Sequence, residues 1–246
     1  MSKHISWFSC GAPSAVMSRI ASKLIPDIHI VYCRVVDEHE DNMRFLKDCE
    51  KWIGKEIEII QSDKYSSVDD VIEKKKFMSG FAGAPCTMHL KRDVRLKYSD
   101  VNDIHYWGFT VEEKKRADEF SLRNPLLINR YPLIEYGITE EMCYGLIQEA
   151  GIELPVMYKL GFKHNNCIGC VKSGSPMYWN MIRKFFPEVF WKRAKQERIL
   201  KYALCSKVID GEKVRIFLDE LDPMDFEETE RQFTCDLGCQ TISKTF

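Results

Sequence analysis

The sequence holds no apolar run approaching the ~18 residues that cross a bilayer, so no transmembrane helix is read from it and no membrane partner is expected. It has almost no net charge: 36 Lys and Arg stand against 37 Asp and Glu, a formal −1. No global field therefore draws it to nucleic acid or to an anionic membrane, though a local basic groove stays allowed. It shows no internal repeat and no low-complexity segment, which sets aside solenoids and linkers. Only MSK precedes the first strand pattern, too little for a signal peptide, and the expectation is a cytoplasmic protein. What remains is a globular chain of 246 residues, 45% hydrophobic and 30% charged. That suits one large α/β domain, or a domain with a small appendage. Ten cysteines are the anomaly. Without an export signal, and with a chain long enough to build a core, they point to metal or redox chemistry in preference to disulfides.

Periodicity gives the architecture. His4–Phe8, Ile28–Cys33 and Ile57–Gln61 read as strands, and Ala15–Leu24 and Asp41–Trp52 as helices between them. This β-α-β-α-β grammar predicts a parallel sheet with right-handed crossovers. A helix over Val68–Phe77, a breaker-rich loop Gly80–Pro85, a strand Ile104–Phe109 and a charged helix from Val111 to Phe120 continue it. Beyond Pro125 the pattern changes. Pro132–Ile134 reads as extended and Ile138–Gly151 as a helix capped by Thr139. Leu154–Asn166 reads as loop, Met177–Phe186 and Pro187–Tyr202 as helices, and Phe217–Asp222 as a strand edge with an acidic loop.

The first loop, Ser9-Cys10-Gly11-Ala12-Pro13-Ser14, joins a strand to a helix. A tight turn and a helix N-terminus aim backbone N–H groups and partial positive charge at one point, which suits a phosphate. Gly11 permits close approach, Ser9 and Ser14 offer hydroxyls, and an ordinary βα turn is the competing reading. The Gly-Lys-Ser/Thr ending of a Walker loop is absent.

With SCGAPSAV the chain resembles the adenine-nucleotide α-hydrolase superfamily, whose pyrophosphate loop reads Ser-Gly-Gly-x-Asp-Ser. Ser9, Gly11 and Ser14 match it, Cys10 replaces a Gly and Pro13 replaces the Asp. The looser form resembles the phosphoadenosine phosphosulfate (PAPS) reductase branch, whose substrates are already activated. Tyr106-Trp107-Gly108-Phe109-Thr110 followed by Glu112, Glu113 and Arg116 is similar to that branch's segment beside the nucleotide. Pro132-Leu133, Leu154-Pro155, Leu160-Gly161-Phe162 and Cys167-Ile168-Gly169-Cys170 keep its order, and Cys167 to Phe190 is similar to a bacterial and phage subgroup. The resemblance implies a Rossmann-like α/β fold of the adenine-nucleotide α-hydrolase type with a helical C-terminal segment. It divides the chain into a nucleotide-binding domain over residues 1–165 and a cysteine-containing segment over 166–246.

The resemblance also implies a site. An adenine nucleotide or sulfonucleotide would be bound through Ser9, Cys10, Gly11, Ser14, Asp37, Gly108 and Thr110, with Lys91 and Arg116 acting on its anionic groups. The Cys167/Cys170 pair offers two thiolates, relaxed by Gly169, where zinc or an iron–sulfur cluster needs about four ligands. Cys86 resembles the proximal cysteine of cluster-containing relatives, which have two adjacent cysteines where this chain has Cys86-Thr87. Cys235 or Cys239 is the candidate fourth ligand, and a three-cysteine [4Fe–4S] cluster with an open iron is the alternative; spacing leaves zinc equally open. Cys239 has a second reading as a mobile nucleophile that attacks an activated sulfate sulfur. Cys33, Cys49, Cys143 and Cys205 read as small core residues. Asp37–Glu40 reads equally well as a solvated loop, His164 as a loop histidine, and the aromatics from Tyr178 to Trp191 as a buried helix face. The expected function is sulfur reduction or transfer, as an oxidoreductase or a sulfur transferase. A thiol reductant and a homo-oligomer are open partners. The alternatives are an ATP-dependent thiolase that adenylates RNA or DNA, and a nucleotide-binding module without catalysis.

Overall fold

In the computed structural model, residues 2–80, 83–209 and 211–225 are described. Five strands form one parallel sheet in the order β3-β2-β1-β4-β5. They are β1 (His4–Phe8), β2 (His29–Cys33), β3 (Ile57–Ile60), β4 (Ile104–Tyr106) and β5 (Ile128–Arg130). β1 and β2 are buried along almost their whole length, which is why they read as apolar runs and not as alternating ones. Chain order reverses between β1 and β4, and open α/β sheets bind ligands at the carboxyl ends of strands at such a point.

The helix Ala12–Leu24 starts at Gly11, whose backbone is extended (φ −99°), and Pro13 in its first turn presets the helical φ. It packs Val16, Met17 and Ile20 into the larger core cluster with Phe45 and Leu46 of the helix Asn42–Ile53. Residues far along the chain, Leu133, Ile138, Ile147 and Tyr158, close that cluster. A second cluster joins Val35, Val71 and Leu90 to Phe162, Trp179, Ile182 and Phe190, so chain from both sides of position 165 shares one apolar interior.

The sheet and its helices follow the expected order, with boundaries shifted by a few residues. Three local expectations are corrected. Pro132–Ile134 is not extended but begins the one-turn helix Pro132–Glu135, since proline suits a first helical position. The extended segment lies just before it, as β5, whose three residues are too few to leave a period. Phe217–Asp222 is not a strand edge but a 3-10 turn, Leu218–Glu220. The strands there are an antiparallel hairpin, β6 (Cys205–Ile209) and β7 (Glu212–Ile216), so the C-terminal segment combines two helices, Pro176–Phe185 and Pro187–Leu200, with a hairpin.

Candidate functional site

The loop after β1 is braced from within. The Ser14 hydroxyl accepts from the Ser9 amide and from the Ser9 hydroxyl, both at 3.0 Å, and donates to the Gly11 carbonyl at 2.8 Å. Both expected serines are thus committed to shaping the turn. Cys10 takes a left-handed backbone (φ 56°), unusual outside glycine. Its side chain is fully buried and meets the Asn42 carbonyl at 3.6 Å. Burial drives its thiol well above the ordinary range, and the negative Glu38 adds to this. Cys10 therefore shapes the loop through its backbone, and its sulfur faces the core and not the cleft.

Gly108, just after β4, lies against this loop. A methyl group there would sit 2.8 Å from the Ser14 Cα and 2.9 Å from the Ser14 nitrogen. Only a residue without a side chain lets the two strand ends come together. Between them opens a cleft of about 670 Å³ lined by Ser9, Gly11, Ser14, Gly108, Thr110 and Arg116. The volume suits a nucleotide-sized ligand. Thr110 and Glu113 form a capping box, and Arg116 pairs with Glu113. Trp7, Lys91, Arg95, Trp107, Asn165 and Lys172 complete the walls. Arg95, Trp7 and Asn165 had not been singled out from the sequence, although the spacing of Lys91 and Arg95 is that of one helical face.

Cys86, Cys167 and Cys170 line a second cavity of about 70 Å³. It shares Lys91, Asn166 and Lys172 with the cleft, so these three residues form a common wall. The cysteine turn is held from four directions. Gly169 has φ 68°, the Cys170 amide donates to the Tyr178 hydroxyl at 2.7 Å, and Arg193 Nε donates to the Gly169 carbonyl at 3.2 Å. The Ile168 amide donates to the Asp37 carbonyl at 2.9 Å. Asp37 is thereby placed at the cysteine turn and not on the nucleotide cleft. Its carboxylate accepts from the Val68 amide at 2.7 Å and lies 3.9 Å from Arg193.

Burial raises the Cys86 and Cys167 thiols, while Lys172 pulls the first down and Lys91 the second. Among the described residues no group of three or more His, Cys, Asp or Glu stands close enough to hold a metal ion. Cys235 and Cys239 lie outside the described residues. The chemistry of the donor set nevertheless fits a thiolate-bound group: three soft sulfurs face one cavity, and two ammonium groups offset the charge they would carry. Such a group requires the thiols to ionise and draw together.

Lys91 is fixed by Glu38 at 2.7 Å. That buried carboxylate also accepts from the Tyr32 hydroxyl and from Asn42 Nδ2. Asn165 Nδ2 donates to Asn42 Oδ1 and to the Cys10 carbonyl, each at 2.7 Å. A continuous hydrogen-bonded path thus runs from the first loop to the shared wall. Cys49, Cys143 and Cys205 are buried apart from either cavity; Cys33 is also buried but borders the cleft. No helix among the described residues is long and apolar enough to cross a membrane.

A family model for the phosphoadenosine phosphosulfate reductase domain matches residues 3–176. The match spans the first loop, the Gly108–Arg116 segment, Cys86 and the cysteine turn. None of the curated proteins compared with the chain matches it.

Proposed function

Since the chain belongs to the phosphoadenosine phosphosulfate reductase family, we propose that it binds an adenine nucleotide or sulfonucleotide in the cleft and reduces or transfers sulfur at the adjoining cysteine cavity. The observation that carries this reading is the wall of Lys91, Asn166 and Lys172, which belongs to both cavities. A nucleotide phosphate on the Ser9–Ser14 loop meets the positive end of the helix Ala12–Leu24. Its sulfonyl end then reaches the two ammonium groups, which balance charge on the leaving phosphate. Arg116 faces the nucleotide from the opposite wall. Residues 1–165 serve as the nucleotide-binding part and 166–246 as the cysteine-bearing part.

Cys86, Cys167 and Cys170 would hold an iron–sulfur cluster, or zinc, with Cys239 as fourth ligand. A bound cluster supplies an electron-rich thiolate-ligated site beside the substrate sulfur. Cys239 is alternatively the nucleophile. Its thiolate forms an S–S bond to the sulfonyl sulfur, and the S–O bond to phosphate breaks with the electron pair leaving on the nucleotide. A thiol reductant then attacks the cysteine sulfur, a disulfide forms, and sulfite departs with two electrons gained. The three-sulfur cavity favours a second reading, an ATP-dependent thiolase acting on RNA or DNA, because a cluster with three protein ligands leaves one iron open.

The test is anaerobic turnover of metal-loaded, full-length protein with a sulfonucleotide and dithiothreitol. Sulfite release supports the first reading. Pyrophosphate release from ATP with a nucleic-acid acceptor supports the second. Nucleotide binding without either product defeats both and leaves a binding module.

A further inference from the structure

Arg95 is an arginine in the cleft without an acidic partner. Arg44 pairs with Asp41, Arg116 with Glu113, Arg193 with Asp69 and Arg198 with Asp219. The half-buried Arg95 guanidinium has no hydrogen bond or ion pair among the described residues, and no carboxylate acts on it. Lys91, one helical turn earlier, faces the same cleft but is already neutralised by Glu38.

The unpaired group is not loose. It lies 5.8 Å over the Trp7 ring and 5.2 Å over the Trp107 ring. Trp7 is itself pinned, by a 3.0 Å hydrogen bond from its Nε1 to His105 Nδ1 and by the edge of Tyr98. Stacking fixes the plane of the guanidinium and leaves its N–H fork without an acceptor. A fixed, desolvated fork with no counter-charge matches a phosphate or sulfate oxygen pair. Trp107 precedes Gly108, whose backbone touches Ser14, so this fork lies along the same cleft as the phosphate-binding loop.

We propose that Arg95 receives a second oxyanion of the bound ligand, a phosphate or sulfate group, while the first rests on the Ser9–Ser14 loop. The proposal rests on the nucleotide reading of the cleft and narrows it. The ligand is an adenosine nucleotide with two separate oxyanionic groups, in preference to a monophosphate.

The experiment compares adenosine 5′-monophosphate with adenosine 3′,5′-bisphosphate by calorimetry, and follows Trp7 and Trp107 by fluorescence. Wild type, Arg95→Gln, Arg95→Lys and Arg92→Gln are used as full-length chains. Wild type and R92Q are expected to bind the bisphosphate about tenfold or more tightly than the monophosphate, the worth of one charge-assisted hydrogen bond. In R95Q that preference falls to about onefold with monophosphate affinity unchanged. R95K keeps the charge and the packing and retains part of the preference. A preference that survives in R95Q, or is absent from wild type, overturns the assignment. If neither nucleotide binds, the nucleotide reading fails, and inorganic sulfate decides Arg95 alone. Quenching of tryptophan fluorescence by sulfate in wild type and not in R95Q sustains the anion site; no difference between them overturns it.

Discussion

The contact between Gly108 and the first loop is open to a direct test through Gly108→Ala. The added methyl carbon would lie 2.8 Å from the Ser14 Cα, 2.9 Å from the Ser14 nitrogen and 3.1 Å from the Pro13 carbonyl carbon. All three are backbone atoms, and no rotamer change relieves them. To regain ordinary contact at 3.4 Å the two segments must part by about 0.6 Å. Overpacking of this kind costs about 1–3 kcal/mol. For a chain of this size each kcal/mol lowers the melting temperature by roughly 2–4 °C, so a fall of about 2–12 °C is expected. The displaced segment is the one that carries the Ser9–Ser14 brace. Nucleotide affinity should therefore fall more than stability alone explains, by about tenfold at a temperature where the variant is fully folded. Gly174→Ala is the control, since its nearest atoms would be 3.5 and 3.6 Å away and should leave both readouts unchanged. Calorimetric titration and thermal melts decide the matter. If G108A binds nucleotide and melts like wild type, the close approach of the two strand ends is not what builds the cleft.

Cys167→Ala and Cys170→Ala should each remove most iron from anaerobically purified protein, while Cys143→Ala, in the core, should not; unchanged iron in the first two would defeat the ligand assignment. Arg193→Met breaks a buried pair with Asp69 and releases the Gly169 carbonyl, and should lower stability by about 3–5 kcal/mol in denaturant melts. Glu197 accepts from the Leu204 and Leu218 amides inside the protein, and burial pushes its pKa up to about 7. The folded state then holds a proton that the unfolded chain releases near pH 4.3, so this group's contribution to stability declines as pH rises from about 4 to 7. Glu197→Gln should flatten that part of the stability–pH curve; an unaltered slope would rule out Glu197 as its source.

The sheet was legible because its strands are buried on both faces and separated by helices of ordinary length. The last third was harder to read for local reasons. β5 has three residues, and Pro132 starts a helix as readily as it interrupts one. Polar residues such as Ser206 and Lys207 sit on a hairpin that shows water one face. The site divides along similar lines. Ser9, Gly11, Ser14, Gly108, Thr110 and Arg116 line the cleft because loops after β1 and β4 must meet at the point where chain order reverses. Cys10 and Asp37 carry the right chemistry in the right segments, but a left-handed backbone turns one inward and the Val68 amide engages the other. The lack of a partner at Arg95 is a property of its neighbours in space, which no spacing reveals.

The clamp on the cysteine turn has a consequence for biosynthesis. Asp37 and Asp69 come from the first third of the chain, the turn itself from residues 167–170, and Arg193 from the helix Pro187–Leu200. As the chain leaves the ribosome, Cys86 emerges roughly a hundred residues before the helix that braces its companions. During that interval the thiols have no shared cavity, and a metal captured early would meet partners in the wrong geometry. Loading is thus tied to completion of the fold, and the helix Pro187–Leu200, which touches no nucleotide, sets the moment at which the metal centre can be assembled.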